Sequence, residues 1–292
     1  MKILVTGGSG FLGSHIADSL SNAGHEVSIF DLIPSKYLRD DQTMVIGDIK
    51  NVEHVNAAVK GCDVIYHLAA VADIDDAINS PRATVEVNII GTLNALEAAR
   101  ENKIKRFVFA SSIYVYSTQG SFYRTSKQAG EHLVHDYLQR FNLPFTVLRF
   151  GSLYGPRADE HNAIFRMIAQ ALREKKIEYS GTGDEVREYI HVTDAAEASV
   201  EILQPEYKNE HIHLMGRERI KTSEMMEMIS EMLGGGIEID TSKGSRIGHY
   251  MQTPYSYTPK LGKKLVQHTY IDLGLGLLDC MQSIDSKTRE GH

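Results

Sequence analysis

The stretch KILVTGGSGFLG, residues 2–13, decides the fold. KILVT is a short apolar run that stops at Gly7, and it reads as a buried strand. Gly7, Gly10 and Gly13 then follow at the spacing G-x-x-G-x-x-G. Glycine suits each place: the first allows a tight turn, the second a close backbone approach to a pyrophosphate, the third close helix–strand contact. The following helix, expected over Gly13 to Ala23 with Gly24 as its stop, offers free N–H groups and a positive dipole end to phosphates. Phe11 and Leu12, between the glycines, belong to the same phosphate-binding turn.

The next apolar run, EVSIFD, reads as a second strand ending in Asp31. A carboxylate there can accept hydrogen bonds from an adenosine ribose diol and repel a 2′-phosphate, which favours NAD over NADP. A turn or helix cap is the other role open to that Asp. In GDI, residues 47–49, Asp48 is a candidate for the adenine amino group and Ile49 for packing on the ring.

Apolar runs recur at MVIGD, DVIYHLAA, RFVFASS and FTVLRF, separated by helical stretches such as ATVEVNIIGTLNALEAAREN and SKQAGEHLVHDYLQRFN. Such alternation predicts an α/β fold with a parallel, doubly wound sheet covered on both faces. After Gly155-Pro156 the alternation weakens. Helices are expected over 160–175 and 222–233, with short strands near 177–179, 211–214 and 237–239. Residues 1–155 therefore read as the dinucleotide-binding domain and 156–292 as a smaller mixed α/β region that does not fold alone.

The 292 residues carry a formal net charge of −7 and are 42% hydrophobic and 24% charged. That composition is ordinary for a globular protein, and the negative balance argues against nucleic acid or an anionic membrane as partner. Cys62 and Cys280 have no metal-like spacing, so no metal is expected, and two cysteines in so long a chain suggest a reducing compartment. The first apolar run is too short for a signal peptide and no stretch is long enough to span a membrane, so a cytoplasmic location is expected. The closing SIDSKTREGH reads as a solvated tail.

SSIYVYSTQGSFYRTSK, residues 111–127, holds Ser112, Tyr123 and Lys127. With 14 tyrosines in the chain, a bare Y-x-x-x-K is expected about once by chance, so its context decides its meaning. That context comprises TGGSGFLG, GDI, HLAA at 67–70, NIIGT at 88–92, SSIYVY at 111–116, YRTSK at 123–127, LRFGSLYGPR at 148–157 and VREYIHVTD at 186–194. In this order the motifs resemble the extended short-chain dehydrogenase/reductases, and within them the nucleotide-sugar epimerases and dehydratases of the UDP-glucose 4-epimerase type.

The resemblance implies a Rossmann-type sheet, with some return of chain from the C-terminal half, and a C-terminal region that holds a nucleotide-diphosphate sugar. It makes Tyr123 the general base for a sugar hydroxyl and Lys127 the group that lowers the Tyr pKa and orients the nicotinamide ribose. Ser112 would hydrogen-bond the reacting oxygen. Leu68, Ala69, Ala70 and Asn88 fall at cofactor-side positions, Asn88 in a mainly structural role, and Ser152 and Arg187 at substrate positions, Arg187 on the diphosphate. A surface ion pair with Asp184 or Glu188 is the plainer role for Arg187, and fold support the plainer role for His191. The helices around 82–101 and 123–141 resemble a pair that forms a homodimer interface, with Leu133, Tyr137 and Leu138 either at that contact or in the chain's own core.

Four departures from the family pattern matter. The Ser112–Tyr123 spacing is short, which should open the sugar site or leave another segment to close it. Ile113 and Tyr114 stand where dehydratases carry an acidic pair, which argues against dehydration. Asp73, Asp75 and Asp76 follow HLAA, where they either repel a sugar carboxylate or cap a helix. Ser152 stands where the family has Asn. The expected activity is an NAD-dependent nucleotide-sugar 4-epimerase working through a transient 4-keto sugar. The alternatives are a 4-dehydrogenase or 4-keto reductase with net hydride transfer, and a non-catalytic NAD-binding scaffold.

Overall fold

The structure is a computed structural model that describes residues 1–241 and 248–254; Cys280 and the closing SIDSKTREGH lie outside them. β1 (Lys2–Thr6), β2 (Glu26–Asp31), β3 (Gln42–Ile46), β4 (Val64–His67), β5 (Arg106–Ser112), β6 (Phe145–Phe150) and β10 (His211–Leu214) form one sheet. The order is β10-β6-β5-β4-β1-β2-β3, and every neighbouring pair is parallel. The chain winds outward in both directions from the boundary of β1 and β4. Such a switch point leaves a crevice beyond the carboxyl ends of the strands.

Alternation along the strands feeds two cores. Leu4 faces one side of β1, with Phe30, Ile65, Phe107 and Phe145 from neighbouring strands, while Ile3 and Val5 face the other with Ile29, Tyr66 and Val108. The first face is covered by α2 (Val52–Val59), α5 (Gly91–Glu101) and α6 (Ser121–Phe141) through Val55, Leu96 and Val134. The second is covered by α1 (Phe11–Asn22) and α8 (Val192–Glu201) through Ile16, Leu20 and Ala195. The expected α/β doubly wound sheet is therefore present.

The expected helix over 83–102 is broken in three. α4 (Pro81–Val85) leads into a π turn, Glu86–Ile90, before α5 resumes. The wide turn holds Asn88, whose Nδ2 donates to Val71 O at 3.0 Å and Ser126 Oγ at 2.9 Å while its Oδ1 accepts from Val71 N at 2.7 Å. Upstream, α3 (Ile74–Asn79) is capped by Asp73, whose Oδ1 accepts from Asp75 N and Asp76 N at 2.8 and 3.0 Å. Of the two roles open to this acidic run, the structure displays the cap.

The later residues add β7 (Ser152–Tyr154), α7 (Ala163–Glu174), β8 (Lys176–Glu178), β9 (Val186–His191), β11 (Arg219–Lys221), α9 (Thr222–Met232) and β12 (Glu238–Asp240). β9 lies between β7 and antiparallel β11, and β8 pairs with β12. Strands β7, β9 and β11 are not expected from the sequence: two are three residues long, and none is a continuous apolar run. Ile164, Met167, Ile177 and Met226 form the small core beneath them. His191 caps α8, its Nδ1 accepting from Thr193 N at 3.3 Å.

Candidate active site

Beyond the carboxyl ends of β1, β2, β4 and β5 lies a cavity of about 540 Å³. Gly7, Gly10, Phe11, Leu12 and Gly13 line it from the first turn, Asp31 from the end of β2, and Asp48 and Ile49 from the turn after β3. Leu68, Ala69 and Ala70 line it after β4, and Tyr123 and Lys127 from α6. Asn88 does not reach it: that side chain is buried and bonded to Val71 and Ser126, so it ties the loop after β4 to α6.

The first turn is shaped as a backbone cradle. Gly7 has φ +72°, and a Cβ there would stand 2.7 Å from Ala69 N; a Cβ on Gly13 would stand 2.2 Å from Gly7 O. Asp31 receives Ser9 N–H at 2.9 Å through Oδ2 and Leu32 N–H at 2.8 Å through Oδ1, so it also braces the turn. A dinucleotide fits these residues: backbone N–H groups at a helix start for its phosphates, an acid at the ribose end, and the apolar Ile49 beside them.

A second cavity of about 540 Å³ adjoins the first. Ser112, Tyr123, Ser152 and Arg187, the candidate catalytic and substrate residues, all line it. Ala72, Ser112, Tyr123, Gly151 and Leu153 line both cavities. The Tyr123 phenol is thus placed where the two meet.

Ser112 ends β5, and a single 3₁₀ turn, Ile113–Tyr116, leads toward α6. Gly120, at φ +93°, precedes the helix, and Tyr123 and Lys127 lie one turn apart on it. Burial pushes the Tyr123 phenol up to about 12, with the Tyr250 hydroxyl adding to the rise and a hydrogen bond with Ser112 opposing it. Burial pushes Lys127 down to about 8, opposed by Glu131. The Lys127 Nζ donates to Ala110 O at 2.7 Å and stands 5.8 Å from the centre of the Tyr123 ring. The hydrogen bond with Ser112 thus works in the direction that the family resemblance assigns to Lys127.

Arg187 is 8% exposed on β9, and its guanidinium lies 4.2 Å from the centre of the Tyr250 ring. Neither Asp184 nor Glu188 takes it as an ion-pair partner: Asp184 meets Lys221 at 3.3 Å and Glu188 meets Arg219 at 3.7 Å. Tyr250 is hydrogen-bonded to Ser152 and packs on Tyr114 with ring centres 4.6 Å apart. Tyr114 OH lies 3.1 Å from His249 Nδ1, and Gly120 N donates to Gly248 O at 2.8 Å. Residues 248–251 therefore lie against the short 113–120 stretch and line the second cavity. Sequence reasoning misses this segment because GHYM matches no spacing rule.

The model of the NAD-dependent epimerase/dehydratase family matches residues 3–214. A Bacillus subtilis protein described as an uncharacterized UDP-glucose epimerase, YtcB, is 30% identical over 269 residues, spanning 80% of this chain and 83% of that one. The crystal structure of Thermus thermophilus UDP-glucose 4-epimerase in complex with NAD superposes with a TM-score of 0.80 at 28% identity, covering 90% of this chain and 95% of that one. UDP-glucuronic acid 4-epimerase from Bacillus cereus, in complex with UDP-glucuronic acid and NAD, gives a TM-score of 0.81 at 27% identity, with the same 90% and 95% coverage. With a glycine cradle, a doubly wound sheet and a Ser–Tyr–Lys set in place, the chain belongs to the NAD-dependent epimerase/dehydratase family of enzymes.

Proposed function

We propose that this chain is a nucleotide-sugar 4-epimerase. The observation that carries the reading is the shared wall: Ser112 and Tyr123 stand where the dinucleotide cavity meets the second cavity. NAD, when bound, supplies the acceptor and donor of the C4 hydride. Tyr123, in its phenolate form, takes the proton of the C4 hydroxyl and returns it to the same oxygen after the sugar has turned over, while Ser112 orients that oxygen by a hydrogen bond. Lys127 supplies positive charge beside the phenol. Arg187 presents a planar fork suited to a diphosphate, with Ser152 beside it.

Two features support epimerisation over dehydration. Ile113 is buried, and Tyr114 points its hydroxyl to His249. The carboxylates lining the substrate cavity, Asp73 and Glu185, accept backbone N–H groups, Glu185 from Thr182 at 3.0 Å and Gly183 at 2.9 Å. An elimination needs an acid and a base in addition to the tyrosine.

We also infer a homodimer through α5 and α6. Tyr137 belongs to the chain's own core and Leu133 and Leu138 pack partly buried against it, so the contact would fall on other residues of these helices. A monomer by light scattering at micromolar concentration would refute it. The test of the activity is incubation with UDP-hexoses while following deuterium exchange at C4 and the redox state of the bound dinucleotide. C4 isomers without net NADH are expected; net NADH with accumulated ketone would assign a dehydrogenase instead.

A further inference from the structure

Glu131 lies one helical turn beyond Lys127 on α6 and is 8% exposed. A buried carboxylate is costly unless it is paired and hydrogen-bonded. Ser111 Oγ donates to its Oε1 at 2.5 Å, Arg149 Nε to Oε1 at 2.9 Å, and Arg149 Nη2 to Oε2 at 2.6 Å. From β10, His211 Nδ1 faces Oε2 at 3.8 Å, and His211 Nε2 contacts His135 Nε2 of α6 at 2.8 Å. Arg149 also donates to the Tyr116 hydroxyl, which lies 3.0 Å from His213 Nε2. Burial and Arg149 push His211 down to about 4, so this imidazole is neutral near neutral pH.

One turn back along α6 stands Lys127, which is 5% exposed and whose charged form Glu131 favours. The groups around that ammonium are Ala110 O, the rings of Phe109 and Tyr123, and His67 of β4. His67 is held neutral, pushed down to about 3 by burial and by Lys127 itself. Two cations and one carboxylate thus leave a single positive charge beside Tyr123. Ala110, Ser111 and Ser112 are consecutive, so the clamp on Ser111 fixes the strand end that serves both Lys127 and Tyr123.

We propose that Glu131 is a positioning residue: its carboxylate, clamped by Arg149 and Ser111, keeps Lys127 charged and holds the end of β5 in place against Tyr123. The proposal rests on the epimerase reading for its kinetic test. With the NAD-bound protein, the pH profile of kcat/KM is measured on whichever of UDP-glucose, UDP-N-acetylglucosamine and UDP-glucuronate is turned over. NADH affinity is titrated by fluorescence over the same pH range.

Glu131→Gln keeps the shape and removes the charge, so Lys127 loses its proton at lower pH. The alkaline limb of the profile is expected to move down by about 1 on the pH scale, with kcat lowered about tenfold and KM changed less than about twofold. The pH at which NADH affinity falls should move with it, and Glu131→Asp should restore part of both. A uniform loss of rate with unmoved limbs would overturn the proposal. Glu131→Gln leaves Arg149 buried without its partner, so Glu131→Gln/Arg149→Met serves where the single variant fails to fold. Losing Arg149 removes a positive charge that opposes Lys127, so the double variant should shift in the same direction but by less than Glu131→Gln. If the wild type exchanges no C4 deuterium, the epimerase reading fails; the NADH titration still decides Glu131, a moved limb supporting the proposal and an unmoved one refuting it.

Discussion

The two cavities are alike in volume, about 540 Å³ each, and share a wall, yet they are made differently. The dinucleotide wall is a series of strand ends: Gly7 follows β1, Asp31 closes β2, Asp48 follows β3, Leu68 follows β4 and Ser111 lies at the end of β5. Parallel strands of one sheet bring these ends into one row without long-range side-chain packing. The substrate wall is drawn from scattered segments, including Asp73, Ser152, Asn162, Tyr179, Arg187 and Tyr250. Its shape depends on how side chains pack across short strands and loops. One half is specified by backbone topology and the other by side-chain contacts, and substitutions should separate them.

The largest effect is expected at the shared wall. Tyr123→Phe keeps the ring and removes the proton-carrying oxygen. Turnover should fall by about 10²–10⁴-fold, the usual contribution of acid–base catalysis, with NAD affinity within about twofold of wild type. Near wild-type C4 exchange in this variant would break the assignment of Tyr123 to both halves.

Next is Asp31, which belongs to the dinucleotide half alone. Asp31→Ala removes the charge at the ribose end and frees the Ser9 and Leu32 N–H groups that it now holds. The NAD-to-NADP affinity ratio should fall about tenfold, the scale of one charged hydrogen bond, while nucleotide-sugar affinity stays constant. An unchanged ratio by fluorescence titration would confine Asp31 to bracing the turn.

A third test uses His67, which supports the dinucleotide wall from below. Its ring meets Thr6 Oγ1 at 2.8 Å through Nδ1 and Thr92 Oγ1 at 2.9 Å through Nε2. Burial and Lys127 hold its pKa down at about 3 against an ordinary 6.5. Above 6.5 the imidazole is neutral in both folded and unfolded chains and the fold keeps its full stability. As pH falls below that, only the unfolded chain takes up the proton, so this residue removes stability progressively, on the order of 1 kcal/mol per pH unit, down toward 3. Denaturant melts should lose stability less steeply on acidification in His67→Asn. An unchanged slope would remove His67 from the account.

The same contrast explains what is legible in the sequence. Strands β4, β5 and β6 match their apolar runs because a strand buried on both faces is a near-continuous run of apolar residues. The glycines are legible because a backbone cradle tolerates no Cβ. The break at Glu86–Ile90 is not, since a π turn keeps helical periodicity and is set by the contacts of Asn88. Nor is Tyr250: its place depends on Arg187, Ser152 and Tyr114, three residues from distant parts of the chain. Local spacing carries no trace of such a meeting.

Tyr250 gives the smallest expected effect and the sharpest separation of the halves. From the sequence, the short 113–122 stretch should open the site or leave another segment to close it, and in the structure Gly248–Met251 lie there. Gly248 O holds Gly120 N, and Met251 O holds Val186 N, both at 2.8 Å, so the segment is tied to the turn before α6 and to the start of β9. Between those ties the Arg187 guanidinium lies over the Tyr250 ring, with Nη1 donating to Val186 O at 3.2 Å. A cation–π contact of this kind contributes about 0.5–2 kcal/mol, more when desolvated, and here it orders a long side chain as well. Tyr250→Ala should therefore weaken UDP binding by about three- to tenfold, raise KM more than it lowers kcat, and leave NAD affinity unchanged. Tyr250→Phe retains the ring and should lose only the hydroxyl's hydrogen bonds with Ser152 and Thr253, so its UDP affinity should stay within about threefold of wild type. Calorimetric titration with UDP and with NAD separates the outcomes. Tighter UDP binding in Tyr250→Ala would show that the ring competes with the diphosphate for Arg187, and a parallel loss of NAD affinity would show that the two cavities are not independent.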